Sequence, residues 1–223
     1  MAKHPNGSIT YSARDEFGLI QVVDNDITRS LYFDSLVEQS RYYFNAPLTL
    51  AFEYQACLLE DALEKAHSSR VQSILMLGLG GGSLASQLHS VLPNCQQTLV
   101  ELREAVIQIA YRYFYLPETP QIETIQADAQ AFVQHSPQQY NLIIVDLYDN
   151  ESMPWAFTEE AFLSQLLSLV SPSGRILFNL WKSSPEKTLA VLEFWDQCSY
   201  ANIKTREIQS SGNIILCVDM VKR

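Results

Sequence analysis

Positive charge is scarce in this 223-residue sequence: fifteen Lys and Arg stand against twenty-five Asp and Glu, a net charge of −10. A field of that sign repels phosphate backbones and attracts cations, which argues against a nucleic-acid partner. No run approaches the roughly 18 uncharged apolar residues of a membrane span, and the N-terminal MAKHPNGSITYS has no apolar signal core. A cytoplasmic protein with no membrane contact is expected. Cysteine is sparse as well. Cys57, Cys95, Cys198 and Cys217 form no Cys-x-x-Cys pair, and each sits in an apolar or helical stretch, so reduced core thiols are expected rather than a disulfide framework. His4, His67, His89 and His135 stand apart from one another and from the cysteines, so no metal site is expected. Eight Gly, nine Pro and 18% charged residues are too few for a fibre or a disordered chain. The 47% of apolar residues are enough for a packed core.

Two regions differ in pattern. Residues 8 to 45 read as short strands between turns, SITYSAR, GLIQVVDN and TRSLYFDS, each rich in β-branched or aromatic residues. This predicts a small β annex over residues 1–46 and a main domain over 47–223. From Pro47 the spacing of Leu50, Tyr54, Cys57, Leu58 and Ala62 predicts a linking helix, with Pro47 in its first turn. Strands and helices then alternate. The strands VQSILMLG, QQTLVEL, IETIQAD, YNLIIVD and GRILFNLW are separated by helices over 83–91, 104–114, 129–134 and 158–169. Such alternation implies parallel pairing by right-handed crossovers, and the runs ILML and LIIV suit strands covered on both faces. After a helix over 186–198, IKTREIQ and NIILCVDM flank Ser210, Ser211 and Gly212 as a hairpin. The predicted class is α/β: a doubly wound, mostly parallel, seven-stranded sheet with a β annex.

The segment Gly78-Leu79-Gly80-Gly81-Gly82-Ser83 follows a predicted strand and opens a helix. Glycines there let the backbone turn sharply and approach a nucleotide-like ligand, so Gly78, Gly80 and Gly82 are cofactor-binding candidates. Ser83 stands where the dinucleotide fingerprint wants its third glycine. Acidic residues follow at strand ends. Glu101 ends the second strand, about 20 residues on, where a carboxylate can accept both ribose hydroxyl protons. Asp128 and Asp146 end the third and fourth strands, and Asp149 lies in the next loop. Ligands in open α/β sheets sit beyond the carboxyl ends of the strands, so these four acids would share one crevice with the glycine loop. Taken singly, Asp128 or Glu101 could equally cap a following helix.

GLGGG, VELREAVIQIAYRYFYLP, IQADAQAFV, YNLIIVDLYDN and GRILFNLW resemble the class I AdoMet-dependent transferases, and more closely the spermidine synthase (polyamine aminopropyltransferase) family. The resemblance spans about residues 15 to 182 and includes AFEYQACLL, similar to that family's tyrosine-bearing helix; the last hairpin fits the Rossmann-like AdoMet methyltransferase fold. It implies that Glu101 holds the ribose, Asp128 and Ala129 the adenine edge, and Asp146 the donor's amino end. It implies Asp149 as the catalytic base, Tyr54 and Tyr148 as residues that position the acceptor, and Gln39 as the counterpart of a family glutamine. The implied donor is decarboxylated AdoMet or AdoMet, and the implied partner a small amine or polyamine. Assembly is left open between monomer and homodimer.

The sequence also departs from that family. Gly81 occupies the aspartate position of GGGDGG, Asp146-Leu147-Tyr148-Asp149-Asn150 replaces DSSDP, and Asn179-Leu180-Trp181 replaces an acidic strand-five motif. Tyr111, Tyr113, Phe114 and Tyr115 have no basic patch beside them and read as core rather than a base-stacking platform. Trp155 and Phe157 read equally as a lid or as core. Three functions fit: aminopropyl-type transfer, AdoMet-dependent methyl transfer, or a nucleotide-binding module without turnover.

Overall fold

The computed structural model describes residues 3–148 and 153–221. The annex is a five-stranded antiparallel meander of β1 (Lys3–His4), β2 (Gly7–Asp15), β3 (Gly18–Asp24), β4 (Thr28–Phe33) and β5 (Glu38–Tyr43). Strand β5 was not expected, because EQSRYY alternates no apolar residues; its Ser40 is the one buried position.

The linking helix is shorter than the sequence spacing predicts. α1 runs Glu53–Ser68, and residues 44–52 precede it as turns and irregular chain. The cause lies in Pro47, which takes the second position of a tight turn closed by Thr49 N–H on the Ala46 carbonyl at 3.0 Å. Leu50 still packs beside the core, but from outside the helix.

The main sheet is built from β6 (Ser73–Leu77), β7 (Gln96–Glu101), β8 (Ile122–Gln126), β9 (Tyr140–Val145), β10 (Val170–Trp181), β11 (Ala201–Glu207) and β12 (Asn213–Met220). Its order is β11-β12-β10-β9-β6-β7-β8, with β12 antiparallel to both neighbours and the remaining pairs parallel. Helices α2 (Ser83–Val91), α3 (Glu104–Phe114), α4 (Ala129–His135), α5 (Glu160–Leu169) and α6 (Pro185–Asp196) follow successive strands. This is the doubly wound architecture expected. Strand order reverses between β6 and β9, so the chain exits these two neighbours to opposite sides and opens a crevice beyond Leu77 and Val145.

Two cores cover the faces of the sheet, one reaching α4, α5 and α6, the other α1 and α2. A third joins the annex to α3. Ile20, Val22 and Leu31 pack against Val106, Ile109 and Phe114, all nearly inaccessible, each side chain contributing about 1.5–3 kcal/mol by burial. The annex therefore sits over the loop end of the main sheet. Arg175, 4% exposed on β10, fastens α1 by donating to the Asp61 carbonyl at 2.6 Å and Glu64 at 2.9 Å, while holding Asp219 on β12. That anchorage sets the helix bearing Tyr54. Cys57, Cys95 and Cys217 are buried free thiols and Cys198 is half-buried; burial pushes the Cys95 thiol up to about 11 and Cys217 up to about 12. Among the described residues no helix is long and apolar enough to cross a membrane.

Candidate active site

The crevice holds a cavity of about 310 Å³ between the main sheet and the annex. Its floor is the turn after β6. Gly78 adopts φ +91, and a Cβ there would lie 2.1 Å from the Asp146 carbonyl oxygen, so only glycine lets β6 and β9 end side by side. Gly78 and Gly80 line the cavity, whereas Gly82 lies off it as the N-cap of α2, where an added Cβ would meet Leu116. Glycine in this turn therefore answers to close protein packing.

Glu101 ends β7 on the cavity wall. Its Oε2 accepts Leu79 N–H at 3.1 Å and its Oε1 accepts Arg103 N–H at 3.0 Å. The Gly81 N–H donates to Ser40 Oγ at 2.8 Å. Donors that would face a pyrophosphate in a dinucleotide loop are here turned onto protein oxygens, and the turn presents a carboxylate to its ligand. Burial raises the Glu101 pKa, opposed by the backbone N–H groups of Arg103, Leu79 and Gly80.

Asp146, at the end of β9, accepts the Asn179 carboxamide at 2.8 Å and the Tyr54 hydroxyl at 3.4 Å. Asn213 donates to Asn179 Oδ1 at 2.8 Å, which fixes the Asn179 NH₂ toward Asp146. Burial pushes the Asp146 pKa up, against the bonds from Asn179 and Tyr54. Burial also raises Tyr54 and Tyr148 far above the usual phenol range, so both stay neutral. The Tyr148 hydroxyl donates to the Asn179 carbonyl at 2.7 Å, which leaves chiefly its ring for the cavity.

Asp128 caps α4, accepting Ala131 N–H at 2.9 Å through Oδ1, and also lines the cavity beside Ala129. The capping and binding readings of this residue are thus compatible. Gln39 reaches the cavity from β5. Asp149 lies outside the described residues. Of the aromatic pair, Phe157 lines the cavity and packs edge-on against Phe162 at 5.1 Å, while Trp155 is 51% exposed under Lys187. Tyr111 and Phe114 pack into cores, and Tyr115 is largely exposed.

Several wall residues were not foreseen: Gln55, Ser40, Arg103 and Phe17 on the wall itself, and Asn179 behind Asp146. Gln55 had a signal, since it is a polar side chain at helical spacing from the buried Leu58 and Ala62 of α1. The others reach the site through contacts remote in sequence.

Gly81, the departure from the family aspartate, is locked by packing. An added Cβ would lie 2.7 Å from Phe114 Cδ1 and 2.9 Å from Ser40 Cβ. Gly81→Ala is therefore expected to cost about 1–3 kcal/mol by overpacking. Thermal melts should fall by several degrees; an unchanged melting temperature would show that Phe114 and Ser40 yield freely.

The sheet order and the crevice at the strand reversal together define a domain of the Rossmann-like methyltransferase fold. Residues 52–206 match the Spermine/spermidine synthase domain. The chain belongs to the spermine/spermidine synthase family and is a transferase. The polyamine aminopropyltransferase of Neisseria meningitidis serogroup A is 30% identical over 205 residues, covering 86% of this chain and 75% of that protein. Among solved structures, a probable spermidine synthase from Corynebacterium glutamicum superposes with TM-score 0.79 at 18% identity over 97% of this chain and 81% of that one. Human methyltransferase-like protein 13 in complex with SAH gives TM-score 0.67 at 21% identity, covering 78% and 83%. At these identities the two structures attest to the fold.

Proposed function

We propose that the protein transfers an aminopropyl group from decarboxylated AdoMet to a small amine or polyamine. The observation that carries this is the placing of Glu101 and Asp146 in one cavity, with the glycine turn's Leu79 N–H directed onto Glu101 and its Gly81 N–H onto Ser40 rather than toward a phosphate. Glu101 suits the ribose hydroxyls, Asp128 with Ala129 the adenine edge, and Asp146 the donor's ammonium; Gln39 and Gln55 add carboxamides to that wall. Tyr54 and the Tyr148 ring would flank the acceptor. In the reaction the amine lone pair attacks the carbon attached to the sulfonium sulfur. The carbon–sulfur bond breaks, its electron pair neutralises the sulfur, and methylthioadenosine leaves. The attacking nitrogen must be deprotonated, the task assigned to Asp149 on its sequence position.

Methyl transfer from intact AdoMet is a second reading, supported by one observation. Position 81, where the family carries an acid that would repel the donor's carboxylate, is glycine and has no room for a side chain. Calorimetric titration with decarboxylated AdoMet, AdoMet and methylthioadenosine separates the readings. Tighter binding of the decarboxylated donor is expected; a preference for AdoMet reverses the assignment, and binding of methylthioadenosine with no turnover of either donor on any amine leaves a binding module.

A further inference from the structure

The turn between β2 and β3 is held with unusual care for an exposed tip. Arg103, 8% exposed, donates to both oxygens of Asp15 at 2.8 and 3.0 Å and to the Gly18 carbonyl at 3.0 Å. Its guanidinium lies 4.7 Å from the centre of the Phe33 ring and 6.0 Å from that of Phe17. Asp15 also accepts Phe17 N–H at 2.9 Å, closing the turn on itself. On its other side, Gly18 at φ +112 packs so closely on Asp34 that a Cβ would sit 1.9 Å from the carboxylate. Pairing a nearly buried cation on two sides while stacking it on aromatics fixes the backbone of residues 15–18 firmly.

What this fixed turn carries is Phe17, 45% exposed and absent from all three apolar cores, yet lining the cavity together with Phe33, Leu102 and Arg103. A large ring outside every core contributes little to folding. Arg103 also ties this turn to Glu101, because its own N–H is the donor to Glu101 Oε1. One residue thus sets both the carboxylate and the aromatic tip on the same wall of the cavity.

We propose that Phe17 is a wall of the donor site, closing over the ribose end of the bound nucleoside, and that Arg103 is the positioning residue that holds it there through Asp15. The proposal rests on the reading of Glu101 as the ribose ligand. Its chemistry is apolar contact with the sugar and exclusion of water from the carboxylate–hydroxyl bonds, which strengthens them.

Calorimetric titration with methylthioadenosine, paired with thermal melts, tests it on the full chain. Phe17→Ala is expected to weaken binding about tenfold with an unchanged melting temperature, and Phe17→Tyr to restore it. Arg103→Met should weaken binding similarly, and the Phe17→Ala/Arg103→Met double variant no further than the weaker-binding single variant, because both remove one contact. Since Arg103→Met also disturbs packing, the exchange Asp15→Arg/Arg103→Asp provides the control: recovered affinity supports the clasp. Phe17→Ala binding as tightly as wild type, while Glu101→Ala binds weakly, overturns the proposal and leaves the ribose reading standing. Glu101→Ala binding as tightly as wild type removes the ribose reading and this proposal with it.

Discussion

Asp149→Asn is expected to retain donor affinity and to lower turnover by about 10²–10⁴-fold, the usual worth of a general base. The expectation comes from what the attacking amine needs and from which acids are already committed. An ammonium has no lone pair, so the acceptor must lose a proton before or as it attacks the carbon next to sulfur. Asp146 is a poor candidate for that proton. It receives the Asn179 carboxamide and the Tyr54 hydroxyl, and its place at the end of β9 beside Gly78 sets it where the donor's ammonium would lie. Asp149 follows three residues later in the sequence, past the end of β9, and carries none of these commitments in the proposed reading. Asparagine keeps the size of the side chain and removes the base, so single-turnover rates should fall while methylthioadenosine still binds. Wild-type turnover in Asp149→Asn, with Asp146→Asn inactive at intact donor binding, would reverse the two roles.

What could be read from the sequence was whatever depends on near neighbours. The bounds of α2 and α3 agree with the sequence reading to the residue, because a glycine turn or a strand-ending acid marks where each starts and its apolar spacing marks its length. The acids at strand ends were legible for the same reason: a parallel α/β sheet puts every such residue at one edge. Contacts made across the chain were not. Ser40 bonds to Gly81 from 41 residues away, and Arg103 to Asp15 from 88. Apart from Gln39, which the family resemblance singles out, nothing in EQSRYY or RDEFG announces a cavity wall, since only the packing of Ile20, Val22 and Leu31 on α3 brings the annex over the crevice. The Asn179–Asn213 pair likewise joins neighbouring antiparallel strands and becomes visible only once β10 and β12 are aligned. Pro47 misled for a related reason: its fixed φ suits a helix start and a tight turn equally, and the apolar spacing that follows cannot tell them apart.

Glu101→Ala is expected to weaken methylthioadenosine binding by at least about tenfold, since each charge-assisted hydrogen bond to a ribose hydroxyl contributes about 1.5–3 kcal/mol. The variant also leaves the Leu79 and Arg103 N–H groups without their acceptor, adding to the loss. The pH dependence of binding supplies a signature that a merely structural role lacks. Burial raises the Glu101 pKa above its ordinary 4.5, so the empty protein favours the protonated acid over a wider range than the unfolded chain does. For folding, the sign follows directly. Glu101 contributes stability that is fully present below the ordinary value and is lost as pH rises through the raised native one. Ligand binding has the opposite slope, because two ribose hydroxyls donate to a carboxylate and favour the ionised form. Binding therefore releases a proton near the native pKa, and affinity should climb with pH until that group is fully ionised. Titrations of wild type across mildly acidic pH should show a limb whose midpoint lies above 4.5. Glu101→Gln keeps the shape without the charge, so its weaker affinity should lose that limb. A limb persisting unchanged in Glu101→Gln would assign it to another acid on the wall, of which Asp146, raised by the same burial, is the first to examine.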